Sequence, residues 1–171
     1  MKRGIVCLIG VAAVALPLAV SARPHASKAD NRAAIEALEN QFAAAVSARD
    51  LDAIMKVYAP GNDLFVFDVV PPRQYIGAEA YRKDWKGFLE MFKGPVKFTI
   101  SDLTVDAGKK MAYSHSVQHV RGTDTKGKPV DFTVRVTDVY RNMKGDWRIV
   151  HEHVSVPVNM ETAKPDMTSA P

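Results

Sequence analysis

Gly145-Asp146-Trp147-Arg148-Ile149-Val150-His151-Glu152-His153-Val154-Ser155-Val156-Pro157 is the stretch on which the reading of this chain turns. It opens on a turn dipeptide and continues with aromatic and β-branched residues until Pro157 stops it, which is the composition of a strand. Strand side chains point alternately to opposite faces, so Trp147, Ile149, His151, His153 and Ser155 share one. Trp147 and Ile149 are apolar. That face is therefore expected to look into the core and to carry both imidazoles with it.

Upstream lie three more segments of the same kind, Val96 to Val105, Met111 to Arg121 and Val130 to Arg141. They are separated by Ala107-Gly108-Lys109, by Gly122 to Lys128 and by Lys144-Gly145-Asp146. Such hairpin-length connections predict an antiparallel meander. Before Pro95 the period changes. Ile35, Leu38, Phe42 and Val46 recur at helical spacing between Asp30 and Ser47. Asp50 is placed to cap a shorter helix with Leu51, Ile54, Met55 and Tyr58 on one side, and Pro60-Gly61 stops it. Leu64 to Val69 reads as a strand closed by Pro71-Pro72. Gly77 opens a third helix, with Tyr81, Trp85, Phe88, Leu89 and Phe92 on one face and Gly94-Pro95 at its end. Helices first and strands later predict an α+β domain, three N-terminal helices packed on one face of a curved, mostly antiparallel sheet.

The N-terminus carries a different signal. Met1-Lys2-Arg3 is positive, Gly4 to Val20 is apolar apart from Pro17, and Val20-Ser21-Ala22 supplies the small residues a signal peptidase needs. Residues 1–22 are thus expected to be a signal peptide, residues 23–158 the domain, and residues 159–171 a disordered tail of low apolar content. The localisation is expected to be periplasmic or secreted, with no stable membrane insertion after cleavage. Cys7, the only cysteine, would leave with the peptide, which excludes disulfides and thiolate catalysis. Lys2 and Arg3 would leave too, so the full chain's formal charge of +4 falls to 21 basic against 19 acidic residues. The remaining charges are scattered, and no nucleic-acid partner is expected.

Arg49-Asp50-Leu51-Asp52-Ala53-Ile54, Phe67-Asp68-Val69, Gly77 opening a helix with Trp85, and the closing Trp-x-Ile-x-His-x-His-x-Ser element resemble the SnoaL-like and ketosteroid isomerase-like proteins of the NTF2-like superfamily. The resemblance spans roughly Asp30 to Pro157. It implies a cone open at one end, a small-molecule ligand and a homodimer formed through the outer sheet face; no cofactor is expected, because nucleotide cofactors are scarce outside the cytoplasm. The same fold hosts isomerases, cyclases, hydrolases, dehydratases and binding modules, so it does not name a reaction.

Asp68 stands nine residues before Gly77, where ketosteroid isomerases place the aspartate that shuttles a proton. Beside Val69, Val70 and Trp85 its carboxyl would be partly desolvated and its pKa raised toward that of a general base. Alternatively, it caps the turn at Pro71-Pro72. His151 and His153 are expected to contact a ligand, to relay a proton as the acid partner of Asp68, or to make satisfied hydrogen bonds in a polar core. With His115 or His119 they could hold a metal, although the spacing is no zinc motif and no metal is expected. Arg135 and Thr137 share a face of the preceding strand. An inward Arg135 would bind a carboxylate, and an outward one would make an interface ion pair. Tyr75 could cover the pocket mouth and donate its hydroxyl. The family's first-helix tyrosine falls at Phe42, so half of the oxyanion site is absent and steroid isomerisation is not expected. Two functions follow: an exported pocket protein for a small apolar or carboxylated molecule, or a cofactor-independent isomerase, lyase or cyclase.

Overall fold

The computed structural model describes residues 27–169. The expected signal peptide, with Cys7, lies outside the described residues. Helix α1 (Lys28–Ala48) starts on a capping box in which Ser27 and Asp30 satisfy each other's backbone N–H groups. It ends at Arg49 in the left-handed conformation. Asp50 then caps α2 (Leu51–Met55) by accepting from the Ala53 N–H, as its sequence position predicts. Helix α2 is a single short turn, so Val57 and Tyr58 are free to run beside a strand instead of extending the helix. A 3-10 turn (Gly61–Asp63) leads into β1 (Phe65–Phe67), β2 (Tyr75–Ile76) and α3 (Ala78–Glu90).

The four long strands are β3 (Lys97–Ala107), β4 (Met111–Thr123), β5 (Pro129–Met143) and β6 (Asp146–Ser155). They form the expected antiparallel meander, and β1 adds to it parallel to β6, giving the order β2-β1-β6-β5-β4-β3. The core lies between the helices and the inner sheet face. Phe42 of α1 is 1 % exposed and meets Trp85 and Phe98 edge-on, with centroids 5.4 and 5.5 Å away.

The two-residue alternation of β6 is interrupted. Val139 pairs with His151 but the next residue, Tyr140, pairs with Ile149, so Val150 is an extra residue on β6. Ile149 and Val150 are consequently both buried although they are adjacent. This β-bulge is braced from the helical side: the Ile149 N–H donates to the Val57 carbonyl, and the Ile149 carbonyl accepts from Ala59. Beyond it the strand presents the opposite parity inward.

The tail also departs from expectation in its described part. Val158–Asn159 (β7) and Lys164–Pro165 (β8) pair as a small hairpin, where the Asn159 side chain accepts from the Glu161 and Thr162 N–H groups. The Thr133 N–H then donates to the Met167 carbonyl at 2.8 Å, which fastens the tail to β5. An apolar anchor at Met167 and an Asx turn at Asn159 explain why low apolar content did not leave this stretch disordered.

Candidate functional site

Between α3 and the inner sheet face lies a cavity of about 520 Å³. Its walls are apolar and aromatic, with Trp85 and Phe88 from α3, Phe98 from β3, Val120 from β4, and Phe132 and Val134 from β5. Met167 of the tail closes one side. Helical spacing on α3 places Tyr81, Asp84, Trp85 and Phe88 on the cavity side, whereas Lys86 and Glu90 point to solvent.

The polar end of the cavity is built from Asp68, Tyr81, Asp84 and Glu152. Asp68 accepts the N–H of the adjacent Val69 at 2.6 Å, and its other oxygen accepts the Tyr81 hydroxyl at 3.1 Å. The Tyr81 hydroxyl also contacts Glu152, which in turn accepts the Tyr58 hydroxyl at 2.9 Å. A phenol carries one proton. The run Asp68–Tyr81–Glu152 is therefore complete only when one of the two carboxyls is itself protonated.

The electrostatics agree with that stoichiometry. Burial pushes the Asp68 carboxyl above its usual range, helped by the negative charge of Asp84. Burial raises Glu152 to about 7 against the hydrogen bonds from Tyr81 and Tyr58, which favour its ionised form. Behind Glu152, Asp138 of β5 is only 1 % exposed and is pushed up by burial and then by the charges of Glu152 and Glu39. Glu39 of α1, raised by burial to about 7, accepts the Tyr140 hydroxyl at 2.7 Å, and Ser114 lies 2.7 Å from the same hydroxyl. Four carboxyls thus lead from the cavity into the core, with Tyr81 bridging the first two, Tyr140 bonded to Glu39, and Asp138 Oδ1 without a hydrogen-bond partner.

Of the residues singled out from the sequence, Asp68 and Trp85 line this cavity and the others do not. His151 and His153 sit on the outer sheet face, because the Val150 bulge reverses the parity that Trp147 and Ile149 set. Both imidazoles rest against Phe67 with centroids 5.7 Å away, and His151 Nδ1 is 2.9 Å from the Phe65 carbonyl. Arg135, Thr137 and His115 are exposed on that same outer face, since Val134, Val136 and Asp138 take the inner parity of β5. Tyr75 is buried but stands behind the cavity, where its hydroxyl donates to Asp84 at 2.6 Å and so orients that carboxylate. His119 pairs with Asp131 at 2.6 Å. Among the described residues, no group of three His, Cys, Asp or Glu side chains could hold a metal.

Glu152, Tyr81 and Tyr58 were not expected at the site, and Asp138 entered only as one of two positions, with Thr137, near which the family resemblance places a later acid. The strand pattern decides between those two: Asp138 has the parity of Val134, Val136 and Tyr140, an acid on an otherwise apolar face, which marks a buried polar group.

Helices over one face of a mostly antiparallel sheet, enclosing a cavity with a polar end, define an α+β cone of the NTF2-like type. The chain belongs to the SnoaL-like domain family, whose pattern residues 35–159 match. An NTF2-like protein of unknown function from Pseudomonas putida is similar at 31% identity and a TM-score of 0.73, over 82% of this chain and 96% of that one. Two others share the fold at lower identity. An NTF2-like superfamily protein from Salmonella enterica has 14% identity and a TM-score of 0.70 over 78% of this chain and 96% of its own. A ketosteroid isomerase-like protein from Erwinia carotovora has 16% identity and a TM-score of 0.62 over 74% and 95%. No curated protein matches the chain.

Proposed function

We propose that this chain is a small-molecule pocket protein, exported if residues 1–22 act as the signal peptide their sequence suggests, that encloses a largely apolar ligand in the cone. One observation carries the reading: a cavity of about 520 Å³ with aromatic walls ends on the buried run Asp68–Tyr81–Glu152. Its size falls within the range of small-ligand sites, and an apolar pocket with a few convergent polar groups is what such a site needs. A carboxylated ligand is disfavoured, because Arg135, its expected anchor, faces outward, while Asp68, Asp84 and Glu152 line the cavity. Binding of 2-tetralone, a neutral apolar ketone, is the direct test, read by thermal shift. Val134→Phe fills the cavity from β5 and is expected to abolish the shift; an unchanged shift would place the ligand elsewhere. The homodimer that the family resemblance implies would use the outer sheet face, and light scattering tests it.

A second reading, acid–base catalysis, is favoured by the raised pKa of Asp68 and the phenol that links it to Glu152. As a carboxylate, Asp68 would take a proton from carbon beside a carbonyl and return it to another carbon. Glu152, acting through Tyr81, replaces the histidines as the acid that supplies the site's other proton. Deuterium exchange into 2-tetralone, followed by NMR in D₂O, is expected to be lost in Asp68→Asn while binding persists. Exchange at the wild-type rate in Asp68→Asn would eliminate Asp68 as the base.

A further inference from the structure

We infer that the cavity is built for an organic cation, a small aromatic or branched ammonium compound whose charged head lies at the Asp68–Glu152 end and whose apolar body lies against Trp85 and Phe88. The inference rests on the pocket reading above and adds the ligand's charge to it.

The argument begins with what the site lacks. Asp68, Glu152, Asp138 and Glu39 lie close enough for their charges to act on one another, and among the described residues none of them pairs with a basic side chain. The ion pairs of the described residues all lie elsewhere, on solvated faces. Buried carboxyls without a counter-charge are expensive to ionise, so either protons or a ligand must neutralise them. Among the described residues, the one basic side chain in the cavity wall is Lys83, which is exposed at the rim and can hold its ammonium in water.

The hydrogen-bond inventory leans the same way. The hydroxyls of Tyr58, Tyr75 and Tyr81 are already donated to carboxylates, so this end of the cavity has acceptors in excess. Gln118 of β4 is 6 % exposed and lines the cavity, yet its amide makes no side-chain hydrogen bond with any described residue. Its amide atoms are not enclosed as Trp85 Nε1, Ser116 Oγ and Asp138 Oδ1 are, so a polar atom of a ligand in the cavity can reach them. The walls suit a cation as well, since the faces of Trp85, Phe88 and Tyr81 attract positive charge and the effect grows where water is excluded.

Proton coupling distinguishes such a ligand from a neutral one. The titratable groups facing Glu152 are Glu39 from α1, Tyr58 after α2, Asp68 after β1, Tyr81 from α3 and Asp138 from β5. None is cationic, and His151 and His153 of its own strand point to the opposite face. A cation at this end favours ionised Glu152 and so expels its proton. Since Glu152 titrates at about 7 without a ligand, cation affinity should rise as pH increases from 6 to 8.

The experiment compares phenyltrimethylammonium with its neutral isostere tert-butylbenzene and with the anion 4-tert-butylbenzoate, by thermal shift and calorimetry on the mature protein. The ammonium is expected to bind about tenfold more tightly than the hydrocarbon at pH 8, a difference that shrinks toward parity at pH 5.5 as the carboxyls protonate. Its apparent binding enthalpy at pH 7 should differ between Tris and phosphate, which reports proton release. In Glu152→Gln, which keeps a side chain for Tyr58 and Tyr81 to bond, both the preference and the proton release should decline. Equal affinity for cation and hydrocarbon, or tightest binding of the anion, overturns the inference while leaving the pocket reading intact. If none of the three binds, the pocket reading falls and takes the inference with it.

Discussion

The two faces of strands β5 and β6 carry similar numbers of polar side chains and put them to opposite ends. Inside are Tyr140 and Glu152, buried and hydrogen-bonded, and Asp138, buried with its Oδ1 unpartnered, the two carboxyls raised by desolvation. Outside are Arg135, Thr137, His151 and His153, on the solvent side of the same backbone. Residue type alone would rank these groups the other way, since imidazoles are the usual proton carriers near neutral pH. Burial reverses the ranking. A carboxyl taken out of water behaves as a group that titrates near neutrality, and on β6 which residues are taken out of water is decided by one extra residue, Val150.

Inserting one alanine between Val150 and His151 is therefore the largest perturbation of this contrast. Alternation continued from Val150 would turn Glu152 outward and His151 and His153 inward, leaving the Tyr58 and Tyr81 hydroxyls without their acceptor. Two orphaned buried phenols and two imidazoles forced into a packed interior take away a large fraction of the stability of about 5–15 kcal/mol expected of such a domain. We expect the insertion variant to lose its cooperative unfolding transition by circular dichroism, whereas deleting Val150 restores regular alternation with Glu152 still inward and costs less. An insertion variant that melts like the wild type would show that strand parity does not hold Glu152 inside.

Glu152→Ala follows in size. It removes the shared acceptor of two phenols at a fully enclosed position, and the expected loss is about 2–4 kcal/mol in urea unfolding. A loss below about 0.5 kcal/mol would mean that the network is not held together by this carboxyl.

Much of this architecture is legible in the sequence, and the parts that are not have a common cause. Apolar spacing places α1 and α3, turn residues separate the four long strands, and Asp68 and Trp85 are reached through their positions beside Gly77. These inferences depend on local pattern. The inner face of β6 does not, because Val150 is bulged by backbone bonds between Ile149 and the segment Val57 to Ala59, some ninety residues earlier in the chain. Nothing within Gly145 to Pro157 distinguishes that outcome from regular alternation. Glu39 was hidden for a similar reason: on α1 it follows Leu38 as an ordinary helical glutamate, and only the meeting with Tyr140 across the core reveals it as buried. The anchoring of the tail was hidden because Met167 is held by Thr133 of β5, a contact outside its own segment.

Smaller, and testable without disturbing the fold, is the pH dependence of stability. Glu39 and Glu152 are raised from 4.5 to about 7 in the folded protein. Between those values the folded state holds protons that the unfolded chain has released, so stability falls as pH rises through this window and levels off above it. The melting temperature is expected to be higher at pH 5 than at pH 8. The exposed carboxylates held low, such as Asp52 and Asp131, act below 3.8 and do not enter this range. Glu39→Gln should flatten the profile and raise the melting temperature at pH 8, whereas a profile that rises from pH 5 to 8 would contradict the burial of these acids.

The smallest effects belong to the outer face. His153 is exposed and touches Phe67 at its edge, so His153→Ala should change stability by no more than about 0.5 kcal/mol. His151 is half-buried, with Nδ1 at the Phe65 carbonyl, and its replacement by Ala is expected to cost about 1 kcal/mol. Neither substitution should alter the affinity for a cavity probe, since the sheet itself stands between these rings and the cavity. Titrations of both single variants with phenyltrimethylammonium make the comparison sharp. If removing either imidazole weakens binding as much as Glu152→Gln does, the outer face is part of the site, and the distinction between the two faces would have to be drawn by ligand contact instead of burial.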